Sequence, residues 1–313
     1  AEGTGRIQFD CHDIHQPSLG HIVENAVLVE SLMTEIADLD NIDLHCPAVI
    51  TGYETNEQGI SILLEDGTPL SAQLLLAADG ANSAIRKHFD FETVEWDYGH
   101  QAIVSTIATE RSNQQTAWQR FMPTGPLALL PLNNQGDLKR CSIVWSQETV
   151  EAERLINLSD KQFCAELSRA SEHCLGQVLE VDKRFAIPLR QRHAKDYVIH
   201  RLALIGDAAH SIHPLAGQGV NLGFADVQVL AEEIGRAVER GLDLGDLSVL
   251  KRYQRRRKPE NLATMAAMEG FKRLFAADPL AVRLLRNIGM STLNQISPVK
   301  NQLMKAAMGL STN

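Results

Sequence analysis

No run of about eighteen uninterrupted apolar residues occurs in this 313-residue chain, the longest runs being short ones such as Leu74 to Ala78, so no helix is expected to span a membrane. The opening Ala1-Glu2-Gly3-Thr4-Gly5-Arg6 lacks the pattern of a secretion signal. The five cysteines (Cys11, Cys46, Cys141, Cys164, Cys174) form no CxxC pair, which argues against a disulfide scaffold or a zinc site and suits a reducing, intracellular compartment. Aromatics make up only 5% of the residues. There is no internal repeat and no low-complexity linker.

What is present is the composition of an ordinary globular protein, 44% hydrophobic and 22% charged, with 21 glycines and 11 prolines. The length exceeds what one hydrophobic core usually organises and predicts two lobes or one enlarged α/β domain. The net charge of −9 conceals an asymmetry. Lys251 to Asn313 holds twelve Lys/Arg and three Asp/Glu, a balance of +9, which leaves −18 on residues 1–250. An acidic body disfavours nucleic acid as a general ligand. A basic, partly apolar tail suits an anionic membrane surface or an acidic protein.

Patterning predicts a strand over Arg6 to Asp10 and a helix over Gly20 to Ile36. A short strand over Ala48 to Tyr53 precedes a hairpin whose arms, Ile60 to Leu64 and Leu70 to Leu76, flank Asp66-Gly67. The second arm is expected to run on to Ala78 as a strand buried on both faces, stopping at Asp79-Gly80. Gln101 to Thr109, Trp118 to Leu132 and Arg140 to Trp145 form a separate β-rich region, followed by a capping box, Ser159 with Gln162, opening a helix over Lys161 to Ala170. A short buried strand, Leu202 to Ile205, leads into Gly206-Asp207-Ala208-Ala209-His210 and, past Pro214, into Gly217-Gln218-Gly219. A helix then follows, with Val220, Phe224, Val227, Leu230, Ile234 and Val238 as one apolar stripe and Gly241 at its C-terminal cap.

A Gly-x-Gly loop opening a helix leaves backbone N–H groups uncovered at the positive end of the helix dipole, where an anion or partial negative charge is stabilised. By themselves these glycines serve a tight turn equally well, and Asp207 serves equally as a turn cap or as an acceptor for the hydroxyls of a sugar or ribityl chain. His210 and His213 are three apart, but no further ligand stands at zinc spacing. Ser211 lacks the GxSxG elbow of a hydrolase. Arg255-Arg256-Arg257-Lys258 suits a solvated helix face.

Taken together, Gly206-Asp207-Ala208-Ala209-His210, His213-Pro214-Leu215-Ala216-Gly217-Gln218-Gly219-Val220-Asn221-Leu222-Gly223 and Asp226 resemble the second flavin motif of class A flavoprotein hydroxylases, and most closely their ubiquinone-biosynthesis branch. Asp79-Gly80-Ala81-Asn82-Ser83 with Arg86 resembles that family's Asp-Gly motif, and Gly20 to Asn25 resembles the helix before its hairpin. The resemblance runs over nearly the whole chain. Gly125 to Pro131, Cys141 to Trp145 and Arg252 to Arg257 resemble the branch acting on 2-polyprenyl-6-methoxyphenol.

The resemblance implies an α/β fold: an FAD/NAD(P)-binding domain of the glutathione-reductase type with a β-sheet substrate domain of the p-hydroxybenzoate hydroxylase type. It divides the chain into a substrate-domain strand (1–16), FAD-binding segments (17–90 and 196–250), a substrate-binding sheet (91–195) and a C-terminal helical region (251–313). No GxGxxG occurs before Gly206, so the βαβ unit that holds the ADP half of FAD is expected to be missing from this chain, with FAD weakly held or absent and the fragment inactive. The residues implied at the cofactor are Asp79, Gly80, Arg86, Gly206, Asp207, Pro214, Gly217, Gln218, Gly219, Val220 and Asn221. Asp79 and Arg86 are expected to order the junction between domains, and no side chain is identifiable as a catalytic base.

The implied activity is FAD-dependent hydroxylation of a polyprenylphenol ring in ubiquinone biosynthesis, with O2 consumed and NAD(P)H as electron donor. Leu127, Leu129, Leu130 and Val144 are available to line a substrate tunnel or to form an ordinary sheet core. A nearly insoluble tail implies a cytoplasmic protein peripheral to the inner membrane, in contact with other ubiquinone-biosynthesis proteins. A hydroxylase for another ring position, a reductase or epoxidase of the same fold, and a non-catalytic subunit of a quinone-synthesis complex remain alternatives.

Overall fold

The structure is a computed structural model that describes residues 5–133, 136–212, 217, 219–276 and 279–310. In chain order its strands are β1 Ile50–Thr55, β2 Ile60–Leu64, β3 Pro69–Ala72, β4 Leu75–Ala77, β5 Thr93–Thr109, β6 Trp118–Met122, β7 Gly125–Pro131, β8 Arg140–Glu148, β9 Val178–Val181, β10 Phe185–Ala194, β11 Val198–Ile199, β12 Leu202–Leu204 and β13 His210–Ser211. The helices are α1 Asn25–Ala37, α2 Ala84–His88, α3 Thr149–Ile156, α4 Asp160–Ala170, α5 Gly219–Glu239, α6 Leu247–Ala276, α7 Leu280–Gln295 and α8 Ser297–Ala307. They sort into two compact units: residues 1–39, 99–188 and 271–313, and residues 40–98 and 189–270.

The core of the first unit is an antiparallel sheet with two helices on one face. Register places Ile103 of β5 opposite Trp145 of β8, and Trp145 opposite Leu127 of β7. Because side chains alternate along a strand, Ile103, Ile107, Leu127, Leu129, Cys141, Ile143 and Trp145 share one face. All are buried beneath α3 (Ala152, Leu155) and α4 (Phe163, Leu167). The Phe163 ring meets Trp145 edge-on at 6.0 Å. Gln162 Oε1 accepts from both the amide and the hydroxyl of Ser159, at 3.2 and 2.7 Å, and fixes the start of α4 where the capping box predicts it. Val104, Thr106, Ala128, Leu130, Ser142 and Val144 lie on the opposite face, each half-buried. The four residues available to a tunnel or to an ordinary sheet core are thus divided: Leu127 and Leu129 are helix-covered core, while Leu130 and Val144 face the other way.

The strand expected over Arg6 to Asp10 is not formed. That segment is irregular and passes into a 3-10 turn, Cys11–Ile14, held by the C-terminal helices: Lys300 Nζ lies 3.0 Å from Asp13 Oδ2, and the Asn301 amide donates to Asp13 O at 2.9 Å. Alternation over so few residues specifies a strand only where a neighbour offers a ladder.

In the second unit β1, β2 and β3 form an antiparallel sheet whose β2–β3 turn is the Asp66-Gly67 turn. Gly67 sits at φ +85°, and Asp66 Oδ1 accepts from the Thr68 amide at 2.9 Å. The second arm does not run on to Ala78. It stops at Ala72, and β4 joins a different sheet, ordered β11-β12-β4. The break is held by Arg201, which is buried, donates to Gln73 O at 2.9 Å and pairs with Asp243. Nor is β4 covered on both sides: Ala77 is fully buried but Leu76 is 41% exposed. Ile60, Ala77, Tyr197, Leu202, Leu204, Leu230 and Tyr253 centre this unit's core.

Candidate functional site

Two parallel strands of the second unit, β4 and β12, pair Leu75 with Leu202 and Ala77 with Leu204, so their carboxyl ends lie side by side. The loop after β4 carries Asp79 and the loop after β12 carries Asp207. Crevices at the carboxyl ends of parallel strands are where open α/β sheets bind ligands.

The two loops are tied together by Arg86. Its guanidinium is buried, with Nη1 donating to Ala208 O and Nη2 to Ala81 O, each at 2.7 Å. Burial and the nearby Arg192 charge lower its pKa, opposed by Glu95 and Asp79. Asp79 Oδ2 accepts from the Ile85 amide at 3.1 Å and Ser83 Oγ from the Arg86 amide at 2.9 Å, which caps α2. Gly80, at φ +78°, supplies the left-handed residue of the turn. Every one of these contacts lies within the second unit; Arg86 joins two strand-end loops of that unit, where the sequence suggested a junction between domains.

Gly206 also stands at positive φ, +57°. Its Cα closely approaches Gly223 of α5, so strand end and helix touch backbone to backbone. Asp207 is solvent-exposed, yet crowding on its protein side strips enough water to raise its carboxyl pKa, with His210 opposing. Helix α5 begins at Gly219, and Val220 and Asn221 in its first turn are exposed, as is Gly217 at φ +62°. The amides of such a turn have no partner within the helix and carry the positive end of its dipole. His213, Pro214, Leu215, Ala216 and Gln218 lie outside the described residues.

Behind this surface is a cluster that sequence patterning passed over. Asp226 of α5 is fully buried. It accepts from the Gly206 amide at 3.0 Å and His210 Nε2 at 2.6 Å on one oxygen, and from Arg257 Nε at 2.8 Å and Asn261 Nδ2 at 3.2 Å on the other. Burial pushes the Asp226 pKa up, but these donors, His210 foremost, outweigh it and leave the carboxyl below its ordinary range. Asn261 also reaches the Tyr197 hydroxyl at 3.3 Å, and that hydroxyl meets His193 Nε2 at 3.0 Å. Burial, then the charges of Lys258 and His210, push His193 down to about 4. Arg257, expected on a solvated face, is buried here, and Arg256 pairs with Glu232 and Glu233. The available signal was Asp226 itself, an acidic residue within the second motif and off the apolar stripe of α5.

The FAD binding domain family matches residues 23–267. Ubiquinone hydroxylase UbiL of Rhodospirillum rubrum is 38% identical over 294 residues, covering 94% of this chain and 68% of that protein. The 3-demethoxyubiquinol 3-hydroxylase of Escherichia coli is 34% identical over 307 residues, covering 98% and 77%. Among solved structures, the p-nitrophenol 4-monooxygenase PnpA of Pseudomonas putida superposes with a TM-score of 0.70 at 17% identity, over 92% of this chain and 72% of that one.

Proposed function

The chain belongs to the class A FAD-dependent hydroxylases of ubiquinone biosynthesis, and from that premise we propose that it hydroxylates the ring of a polyprenylphenol, 2-polyprenyl-6-methoxyphenol in the first instance. The observation that carries this reading is the pairing of the Asp79 and Asp207 loops at the ends of β4 and β12, bridged by Arg86, beside the first turn of α5.

That donor set fits the ribityl and isoalloxazine half of FAD. An exposed carboxylate at Asp207 accepts hydroxyl donors, uncovered amides at Gly219 to Asn221 favour negative charge, and exposed Val220 offers an apolar contact. Gly80, Gly206 and Gly217 let the backbone come close, and Asp79 and Arg86 hold the loops that present it. Pro214 and Gln218, between Ser211 and α5, complete the proposed set. When bound, the flavin supplies the activation of O2, with NAD(P)H as the proposed source of electrons. The protein's own tasks are to stabilise charge at the helix start, exclude water and hold the phenol.

For the phenol we assign the half-buried face of the first unit's sheet that is turned away from α3 and α4, where Val104, Leu130 and Val144 alternate with Thr106 and Ser142. Its mixture of apolar and hydroxyl side chains suits a methoxyphenol ring. Another ring position is the second reading, favoured by the likeness to a 3-hydroxylase. The exposed apolar stripe Leu284, Leu285 and Ile288 on α7 supports peripheral attachment to a membrane, where such a substrate resides. No helix of the described residues is long and apolar enough to cross one.

Two measurements test the assignment. In the intact enzyme, Asp207→Ala removes charge-assisted hydrogen bonds worth about 1.5–3 kcal/mol, so FAD affinity, read by flavin fluorescence, is expected to fall roughly 10- to 150-fold. Unchanged affinity refutes the role of Asp207. Incubation of the intact enzyme with FAD, NAD(P)H, O2 and the polyprenylphenol is expected to give a product one oxygen heavier, its position read by NMR. Flavin reoxidation without oxygen in the product overturns the hydroxylase reading.

A further inference from the structure

We infer that Asp226 is the positioning residue of the cofactor site: its buried carboxylate pins both ends of the Gly206–His210 turn and thereby sets where the Asp207 carboxylate stands. The inference rests on the flavin reading of Asp207. Asp226 Oδ2 takes the Gly206 amide and the His210 imidazole together, and these residues stand one before and three after Asp207. With the turn held at both ends by one oxygen, the exposed Asp207 is carried on a fixed frame. The other oxygen is anchored to α6 through Arg257 and Asn261.

The frame closes on itself. Asn261 continues to Tyr197, Tyr197 to His193, and the backbone of His193 pairs with that of His210 where β10 meets β13. The turn is therefore gripped from the helix side by Asp226 and from the strand side by the His193–His210 pair. A buried ion cluster of this kind is weak evidence for stability, since apolar side chains of similar volume often serve as well. What it supplies is directional: the hydrogen bonds accepted by one carboxylate fix relative orientation as apolar contacts do not. An asparagine cannot replace it, because only one of its two terminal atoms accepts.

The experiment compares Asp226→Asn, Asp226→Asn combined with Arg257→Gln, and His210→Gln with the unaltered chain. The readouts are thermal midpoint, hydrogen–deuterium exchange of peptides covering 204–212, and FAD affinity by fluorescence titration. Asp226→Asn leaves the buried Arg257 with only the exposed Glu260 as an ion-pair partner; the double variant removes that charge, so its midpoint is expected to recover part of what Asp226→Asn loses. Exchange over 206–211 is nonetheless expected to stay at least tenfold faster than in the unaltered chain, and FAD affinity at least tenfold weaker. His210→Gln leaves the Asp226–Arg257 pair intact, and is expected to loosen the same peptides with little change in midpoint. Recovery of exchange and affinity in step with the midpoint overturns the inference and makes the cluster a stability element only. Should the Asp226 variants fail to fold, exchange in His210→Gln that matches the unaltered chain overturns it equally. Faster exchange with FAD affinity unchanged in every variant overturns the flavin reading beneath it, a result distinct from an unloosened turn.

Discussion

His193 shows how one side chain sets a pH limit. Its imidazole is buried against the Tyr197 hydroxyl and is pushed down to about 4, from an ordinary 6.5. A histidine whose native pKa lies below its unfolded value binds its proton more readily when unfolded. The stability it allows is therefore present above about 6.5 and is lost as pH falls from there towards 4. A depression of this size corresponds to a loss on the order of 3 kcal/mol. His193→Gln, which keeps a partner for Tyr197, is expected to flatten the stability profile across that window in urea denaturations at stepped pH. Loss at still lower pH remains, because the lowered pKa of Asp226 places its own protonation there. An acid limb identical to that of the unaltered chain would exonerate the imidazole.

At the scale of elements, α5 is instructive because most of its apolar stripe points outward while Leu230 and Ile234 pack inward. Val220 is 60% exposed, and Phe224, Val227 and Val238 are exposed as well, whereas the buried positions are Asp226, Leu230, Glu233 and Ala237. Two of those are acidic, and each is paired: Asp226 with His210 and Arg257, Glu233 with Arg236 and Arg256. A helix buries a charged face only where partners from other segments meet it. Leu230 is 2% exposed within the core of its unit. Leu230→Ala is expected to cost about 2–5 kcal/mol in denaturant unfolding, and Val227→Ala to stay within about 0.5 kcal/mol. Equal costs would mean that the exposed side of the stripe packs as tightly as Leu230 does.

Across the whole molecule, the charge asymmetry of the chain turns out to be partly spent internally. Of the cations after Lys251, Arg256 and Arg257 pair with carboxylates of the second unit. Lys300 pairs with Asp13, and Arg286 caps carbonyls at Leu274 and Phe275 while lying over the Phe275 ring. Phe275 in turn stacks on Phe121 of β6 at 3.9 Å. The exposed apolar stripe of α7, with Leu285 70% exposed, is thus the stronger half of the proposed membrane contact. Co-sedimentation with anionic and neutral liposomes at low and high salt tests it. Binding is expected to favour anionic vesicles, at about 1 kcal/mol for each cation left near the surface, to weaken with salt, and to drop severalfold in a Leu284, Leu285 and Ile288 to serine variant. Indifference to lipid charge and to that variant makes a protein partner the better reading of the tail.

The sequence by itself determined what depends on near neighbours. The Asp66-Gly67 turn, the Ser159–Gln162 cap and the start of α5 after the glycine loop are local chemistry, and they stand where the residues predict. The family was legible too, because its motifs are a matter of residue spacing along the chain, and the family match covers them. Tertiary structure alone decided the rest. Arg201 cuts a run of apolar residues into two strands of different sheets, and Arg257 goes inward because a carboxylate 31 positions earlier waits for it. Leu129 and Leu130, adjacent in sequence, face a helix-covered core and the half-buried opposite side of the sheet. In each case the outcome depends on which partner arrives from a distant segment. The free energy of burying a charge or opening a strand edge is set by that partner, and no periodicity within the segment itself records it.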